Sequence, residues 1–237
     1  MKKLGINIDH VATLRNARGE DHPNILSIAK SVVKSGASSI TVHLREDRRH
    51  INDNDLKNLC KKKFRINLEM AANNKMFKIA LKNNPNYVCI VPEKRNEITT
   101  EGGLNLNKNF HILKKIIFLL NKKKIRTSLF IDPNLKNIHL SKKIGSKCVE
   151  LHTGKFSRLV KSKKKYKIEY KKLKKCASEG NRLGLKIHAG HGLDYKCVKI
   201  LKHVKEIEEY NIGHFIIGES LKDGIVKVIK TFKKILC

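Results

Sequence analysis

The chain has 237 residues, 40% of them hydrophobic, enough for a sizeable core in one large domain or two small ones. Its formal charge is +31, with no Trp and only 5% aromatic residues. The lysines are scattered over every segment and bases would find few aromatic partners, so compositional drift shared with the abundant Asn and Ile is favoured, and neither a specific nucleic acid nor a membrane is expected as partner.

Taken in order, short apolar strands alternate with helical stretches. Leu4–Asp9 is the first strand, followed by a helix over Asn24–Lys34 that ends at Gly36. Ser39–Leu44 is the second strand, with Ile40, Val42 and Leu44 on one side and Thr41, His43 and Arg45 on the other. A polar run to His50 leads to a helix near Asp53–Lys62. Arg65–Met70 and Tyr87–Val91 are the third and fourth strands, with a helix over Lys75–Lys82 between them. A loop containing Gly102-Gly103 precedes a helix around Lys108–Asn121. Arg126–Ile131 is the fifth strand; its helix starts near Asp132-Pro133-Asn134 and runs to about Lys143. Cys148–His152 is the sixth strand, followed by a lysine-rich loop and a long helix from about Tyr166 to Arg182. Leu185–Ala189, a helix over Tyr195–His203, a strand over Asn211–Ile217 and a helix over Ser220–Leu236 complete the chain. Eight βα units with no change of pattern favour a closed (β/α)8 TIM barrel as one catalytic domain over residues 1–237. An open doubly wound sheet is the alternative.

The six cysteines form no Cys-x-x-Cys pair and read as reduced thiols of a cytoplasmic protein. No signal peptide and no membrane helix is expected.

In such a barrel, chemistry is built at the C-terminal ends of the strands. These ends carry Asn7-Ile8-Asp9-His10, His43-Leu44-Arg45, Asn67-Leu68-Glu69, Pro92-Glu93, Glu150-Leu151-His152-Thr153-Gly154, His188-Ala189-Gly190-His191-Gly192 and Asn211-Ile212-Gly213-His214. Packing does not require so many polar residues there. There is no His-x-His or His-Glu-x-x-His pattern for a metal, and no Gly-x-Ser-x-Gly for a nucleophile. Only Lys147 and Lys186 lie near a strand as candidate Schiff-base lysines. General acid–base chemistry by several His and Glu side chains remains. The glycines after strands seven and eight suit phosphate binding through backbone N–H groups. The arginines Arg15, Arg18, Arg45, Arg48 and Arg49 could hold a second anion or form a solvated basic loop.

The stretches Asn7–Gly19 and Thr41–Ile51 closely resemble the pyridoxine 5′-phosphate synthase family. So do Asn67–Met70, Val91–Arg95, Thr99–Gly103, Ser128–Asp132, Glu150–Gly154, Ala189–Leu193 and Asn211–His214. The resemblance spans nearly the whole chain in order. It implies a (β/α)8 barrel with additional helices, a cytoplasmic homo-octamer, and no metal or organic cofactor. The implied reaction is transferase chemistry of vitamin B6 biosynthesis. It condenses 3-amino-2-oxopropyl phosphate with 1-deoxy-D-xylulose 5-phosphate, giving pyridoxine 5′-phosphate, inorganic phosphate and water.

By motif position, the resemblance makes His43 and Glu69 proton acceptors, His191 a proton donor and Glu150 a transition-state stabiliser. It assigns Asn7, Arg18, Gly192, Gly213 and His214 to the aminoketone phosphate. Asp9, His10, Arg45, His50 and Thr99 are assigned to the deoxyxylulose phosphate. His188 departs from the family pattern, which has a small amide residue there, and is expected to alter the tuning of His191.

Overall fold

A computed structural model of the chain describes residues 2–62, 64–93 and 102–237. Eight parallel strands close into a barrel in sequence order: β1 (Lys3–Asn7), β2 (Ser39–His43), β3 (Ile66–Met70), β4 (Tyr87–Ile90), β5 (Arg126–Ile131), β6 (Cys148–His152), β7 (Lys186–Gly190) and β8 (Ile207–Ile212). The seam pairs Gly5 with Asn211 and Ile6 with Ile212. Among the described residues the outer layer is α1 (Asp9–Arg18), α2 (Ile25–Lys34), α3 (Asp53–Lys61), α4 (Asn74–Asn83), α5 (Phe110–Lys122), α6 (Leu135–Ile144), α7 (Gly154–Lys161), α8 (Lys167–Arg182), α9 (Tyr195–Leu201), α10 (His214–Asp223) and α11 (Ile225–Leu236).

The strand alternation decides what is dry. Ile40, Val42, Leu68, Val88, Leu129, Val149, Leu151, Ile187 and Tyr210 join one apolar core with the helices. The alternate positions hold Ser39, Thr41, His43, Asn67, Glu69, Ser128, Glu150, His188, Glu209 and Asn211, nearly all of them buried. These polar side chains bond across the barrel. Asn67 donates to Thr41 Oγ1 at 3.3 Å, Ser39 to Glu209 Oε1 at 2.9 Å, and Asn211 to Glu150 Oε2 at 2.6 Å. The lumen is therefore polar where branched apolar residues usually fill such a barrel.

Much of the asparagine content has a local job. Asn24, Asn52, Asn73 and Asn134 each accept a backbone N–H of the helix they precede, at 2.8 to 2.9 Å. Asp194 does the same for α9 at 2.7 Å. Among the described residues no helix is long and apolar enough to cross a membrane.

Several expected boundaries shift. β8 starts at Ile207 and ends at Ile212, so Phe215, Ile216 and Ile217 are helical. The strand was hard to see because two consecutive glutamates, Glu208 and Glu209, interrupt its alternation of apolar and polar residues. The single closing helix is two, α10 and α11, broken at Gly224 with φ 76°. The span after the first strand is helical from Asp9, and the lysine-rich loop after β6 holds α7.

Candidate active site

The C-terminal rim gathers the proton-transfer groups. His43 ends β2 and Glu69 sits in register beside it on β3, with His43 Nδ1 3.9 Å from Glu69 Oε2. Glu150 lies further round on β6, fixed by Asn211. Asp9 opens α1 with its carboxylate engaged on both oxygens: the His43 backbone N–H donates to Oδ1 at 2.9 Å and Asn7 Nδ2 to Oδ2 at 2.8 Å. Asp9 thus ties the end of β1 to the end of β2.

Burial governs the protonation of this ring. Glu69 is pushed well above the usual carboxylate range, first by burial and then by the nearby Glu150 and Asp9 charges. Glu150 is raised to about 7 by burial, with the Asn211 hydrogen bond opposing and Glu209 adding to the rise. Asp9 is also raised, by burial, against the favourable charges and hydrogen bonds of His43, Asn7 and Arg45. Three carboxyls so close in a dry site do not all ionise at neutral pH, so the rim keeps protons to give as well as sites to receive them.

His191 follows β7 in the left-handed region, with φ 78°. That conformation is uncommon for a residue with a side chain and marks a constrained position. Thr153 holds it: its hydroxyl lies 2.7 Å from both the Gly190 and His191 carbonyl oxygens, and its N–H donates to Gly190 at 2.9 Å. Burial and the charges of His152, Arg158 and Lys161 push the His191 imidazole down to about 4. His188 is not among these causes. It faces the lumen in register with Glu150 and Glu209, and burial pushes it down to about 3. The neighbouring imidazole whose charge acts on His191 is that of His152.

The expected phosphate residues separate into groups. Asn7, Gly213 and His214 meet at one corner, where a Cβ on Gly213 would stand 2.9 Å from Asn7 Cβ; only glycine permits that approach. Gly213 caps α10, so the helix start and its free N–H groups face this corner. Gly192 follows His191 in the loop after β7, with φ 76°. The His10 ring is edge-on to His214 at 5.0 Å and stacked on His50 at 6.2 Å. His50 Nδ1 lies 2.7 Å from Thr13 Oγ1. Burial and neighbouring positive groups push His50 down to about 4. Arg18 stands apart, 75% exposed at the end of α1, 3.5 Å from Glu20. Thr99 lies outside the described residues.

The loop arginines are mostly engaged with carboxylates. Arg15 makes a two-pronged pair with Asp55 at 2.7 and 2.8 Å, Arg48 pairs with Asp53 at 2.7 Å, and Arg49 with Asp47 at 2.8 Å. Arg45 instead turns to the rim, its Nε 4.0 Å from Glu93 Oε1.

Two elements of the site carry no role in the sequence reading. Glu93 is buried just past β4, its Oε2 3.5 Å from His43 Nε2 and its Oε1 accepting the Glu46 N–H at 2.7 Å. His152, at the end of β6, has Nδ1 3.0 Å from Asp132 Oδ1 and its ring edge-on to His191 at 5.0 Å. The signal for both resembled that for His43: a polar residue at a strand's last position, as His152 is on β6, or in the few residues after it, as Glu93 is after β4. Among the described residues, no three His, Cys, Asp or Glu side chains converge in a way that would hold a metal ion.

Imidazoles and raised carboxyls on one rim, beside a helix start suited to an anion, make this a barrel enzyme of the acid–base class. Comparison with known proteins specifies it further. The sequence profile of the family described as Pyridoxal phosphate biosynthesis protein PdxJ matches residues 4–237, and the chain belongs to that family. A pyridoxine 5′-phosphate synthase of Pelagibacter ubique is 62% identical over 99% of this chain and 99% of its own. One from Blochmanniella pennsylvanica is 46% identical over 98% and 96%. Among solved structures, 3-keto-L-gulonate-6-phosphate decarboxylase from Vibrio cholerae superposes with a TM-score of 0.69 at 8% identity, covering 100% of this chain and 98% of that one. That likeness is one of fold.

Proposed function

We propose that this chain is a pyridoxine 5′-phosphate synthase that condenses 3-amino-2-oxopropyl phosphate with 1-deoxy-D-xylulose 5-phosphate. The observation that carries the reading is the convergence of His43, Glu69 and Glu150 on one barrel rim, with the carboxyls held partly protonated by burial. Joining an amine to a ketone, expelling water and phosphate and closing an aromatic ring needs protons moved at several different atoms. One base reaches only some of them, so acids and bases spread round a rim suit the task.

In this reading His43 and Glu69 accept protons, His191 donates one and Glu150 stabilises developing positive charge. The substrate ammonium favours the ionised carboxylates as it arrives, since an opposite charge lowers their affinity for protons. Asn7, Gly192, Gly213 and His214, with Arg18, take the aminoketone phosphate. His10, Arg45, His50 and Thr99 take the deoxyxylulose phosphate, with Asp9 holding the geometry between them. The chemistry uses no metal or organic cofactor, and the working form is a cytoplasmic homo-octamer.

The test mixes purified protein with the two substrates and follows pyridoxine 5′-phosphate and inorganic phosphate together. Stoichiometric release supports the reading; folded protein that yields neither overturns it. His43→Ala and Glu69→Gln are each expected to lower kcat by about 10²–10⁴-fold while the fold survives. Mass measurement in solution tests the octamer.

A further inference from the structure

His152 and Asp132 form a pair that the reaction as read above does not use. Asp132, immediately after β5, is 53% exposed, and His152 is almost wholly buried at the end of β6. The carboxylate accepts at 3.0 Å from Nδ1, which places the imidazole proton there and leaves Nε2 with its lone pair. The His152 bond, more than burial, sets Asp132, holding its carboxyl below the usual range. His152 Nε2 is buried and has no hydrogen-bond partner among the described residues. A buried imidazole nitrogen with no partner is costly unless something occupies that position in use.

What Nε2 faces is specific. A Cβ on Gly154 would stand 2.6 Å from His152 Nε2 and 3.0 Å from His191 Cδ2. The two rings therefore meet above the Cα of Gly154, where the chain has no side chain. Phe130 covers them both, at 5.1 Å from His152 and 6.4 Å from His191. On the outer flank a cavity of about 290 Å³ is lined by Asp132, Asn134, His152, Lys155, Glu169 and Lys172. The charged groups around the pair are thus Asp132 from the end of β5, His191 from the end of β7, Lys155, Arg158 and Lys161 from α7, and Glu169 and Lys172 from α8. Glu169 is engaged by Lys155 at 2.9 Å and Lys172 at 3.0 Å, which leaves Asp132 as the counter-charge for His152.

We propose that His152, held by Asp132, is a positioning residue that acts through His191 as a proton store on the β6–β7 side of the site. The inference rests on the acid–base reading given above. When the reaction leaves a proton on His191, that N–H bond breaks as an N–H bond forms at His152 Nε2, and the pair passes from carboxylate and neutral imidazole to carboxylate and imidazolium. When a later step consumes a proton, that N–H bond breaks and Nε2 returns the proton to His191. Nothing is oxidised or reduced, and the proton count closes over one turnover. Such a store suits His191, whose imidazole burial disfavours as a cation.

The test uses Asp132→Asn, His152→Gln and His191→Asn in the full chain, with kcat measured against pH. Removing the Asp132 charge makes the proton-loaded pair less stable, so the acid limb of the profile, where Nε2 would already carry its proton before turnover, moves down by about 1–3 pH units. His152→Gln lowers kcat by about 10²-fold in the native background but by only a few-fold when His191 is already Asn. Loss by the same factor at every pH, or factors that simply multiply in the double variant, overturns the proposal. A readout independent of turnover is the ¹⁵N resonance pattern of His152. It should show the proton on Nδ1 in the native protein and should respond to His191→Asn. A His152 signal indifferent to His191 overturns the store even if the substrates named above prove wrong. Native turnover with an unshifted Asp132→Asn profile overturns the store and leaves the reaction standing.

Discussion

His43 Nε2 lies 3.5 Å from Glu93 Oε2, and each atom is buried without a hydrogen-bond partner among the described residues. His43 is thus flanked by Glu69 on Nδ1 and by Glu93 on Nε2. At 3.5 Å the second contact is electrostatic more than a formed hydrogen bond. Burial alone would raise the Glu93 carboxyl, but His43, the Glu46 N–H and Arg45 outweigh it and hold the group below its usual range. An ionised Glu93 stabilises the imidazolium that forms when His43 accepts a proton. Glu93→Gln keeps the shape and the Glu46 bond and removes the charge. It should lower kcat by about 10-fold or more, because the imidazolium loses a neighbouring carboxylate charge. Its KM should change little, and steady-state kinetics on the purified variant will read both.

The raised Glu150 carboxyl makes stability depend on pH in a definite direction. Its proton is held up to about 7 in the folded chain, whereas the unfolded chain releases it at the ordinary glutamate value of about 4.3. The stabilisation is complete below the unfolded value and is lost as pH rises through the folded one. Over that window the loss is on the order of 3 kcal/mol. Glu150→Gln removes the ionisation and keeps an acceptor for Asn211. The variant should melt several degrees higher than the native chain at pH 8 and near it at pH 4.5. Thermal melts across this range check it; a variant that falls behind at pH 8 contradicts the assignment. On the acid side His50 and His191, both pushed down to about 4 chiefly by burial, act in the opposite sense. They cost stability as pH falls from about 6.5 to about 4, a range that overlaps the Glu150 window, so the two effects oppose each other there.

The barrel was legible in the sequence because its outward strand positions are apolar and β-branched while its inward ones are polar, as at Ile40, Thr41, Val42 and His43. β8 resisted because Glu208, next to Glu209, broke that alternation, and the following Phe215–Ile217 offered a more apolar run. The rim was legible wherever a polar residue ended an apolar strand. Pairing was not: nothing in the order of residues says that Arg15 meets Asp55 or that His152 meets Asp132. Those contacts join segments 40 and 20 residues apart and exist only once the barrel has closed.

Gly190 shows how tightly the lumen is fitted. A Cβ there would overlap Glu150 Oε1 well inside van der Waals contact, and would also crowd the Asn211 carbonyl at 3.3 Å. The Glu150 carboxylate is already held by Asn211, so it has little room to yield. Gly190→Ala should cost about 1–3 kcal/mol, the range for overpacking. In a chain of this size that is about 2–4 °C of melting temperature per kcal/mol. Because the displaced group is Glu150, turnover should fall more than stability does. Calorimetry beside an activity assay separates the two; full activity in a destabilised variant contradicts the placement of Glu150 on the reacting face.

Arg15 was a candidate anion binder by sequence, and its geometry assigns it another task. Its guanidinium is 11% exposed and grips both oxygens of Asp55, itself 10% exposed. Asp55 also completes the cap of α3, exchanging bonds with Asn52 at 2.8 and 3.0 Å. The hydrogen bond to Asp55 holds the Arg15 charge more firmly than an isolated guanidinium, against the opposing effect of burial. Removing one partner of a buried pair leaves the other uncompensated, at about 3–5 kcal/mol. Arg15→Ala should therefore lower the melting temperature markedly, while the fraction that remains folded keeps its KM for both phosphorylated substrates. Asp55→Asn should follow the same pattern, and the double variant should cost less than the two single changes added together. A tenfold rise in KM for either substrate, with little change in melting temperature, would return Arg15 to the anion site.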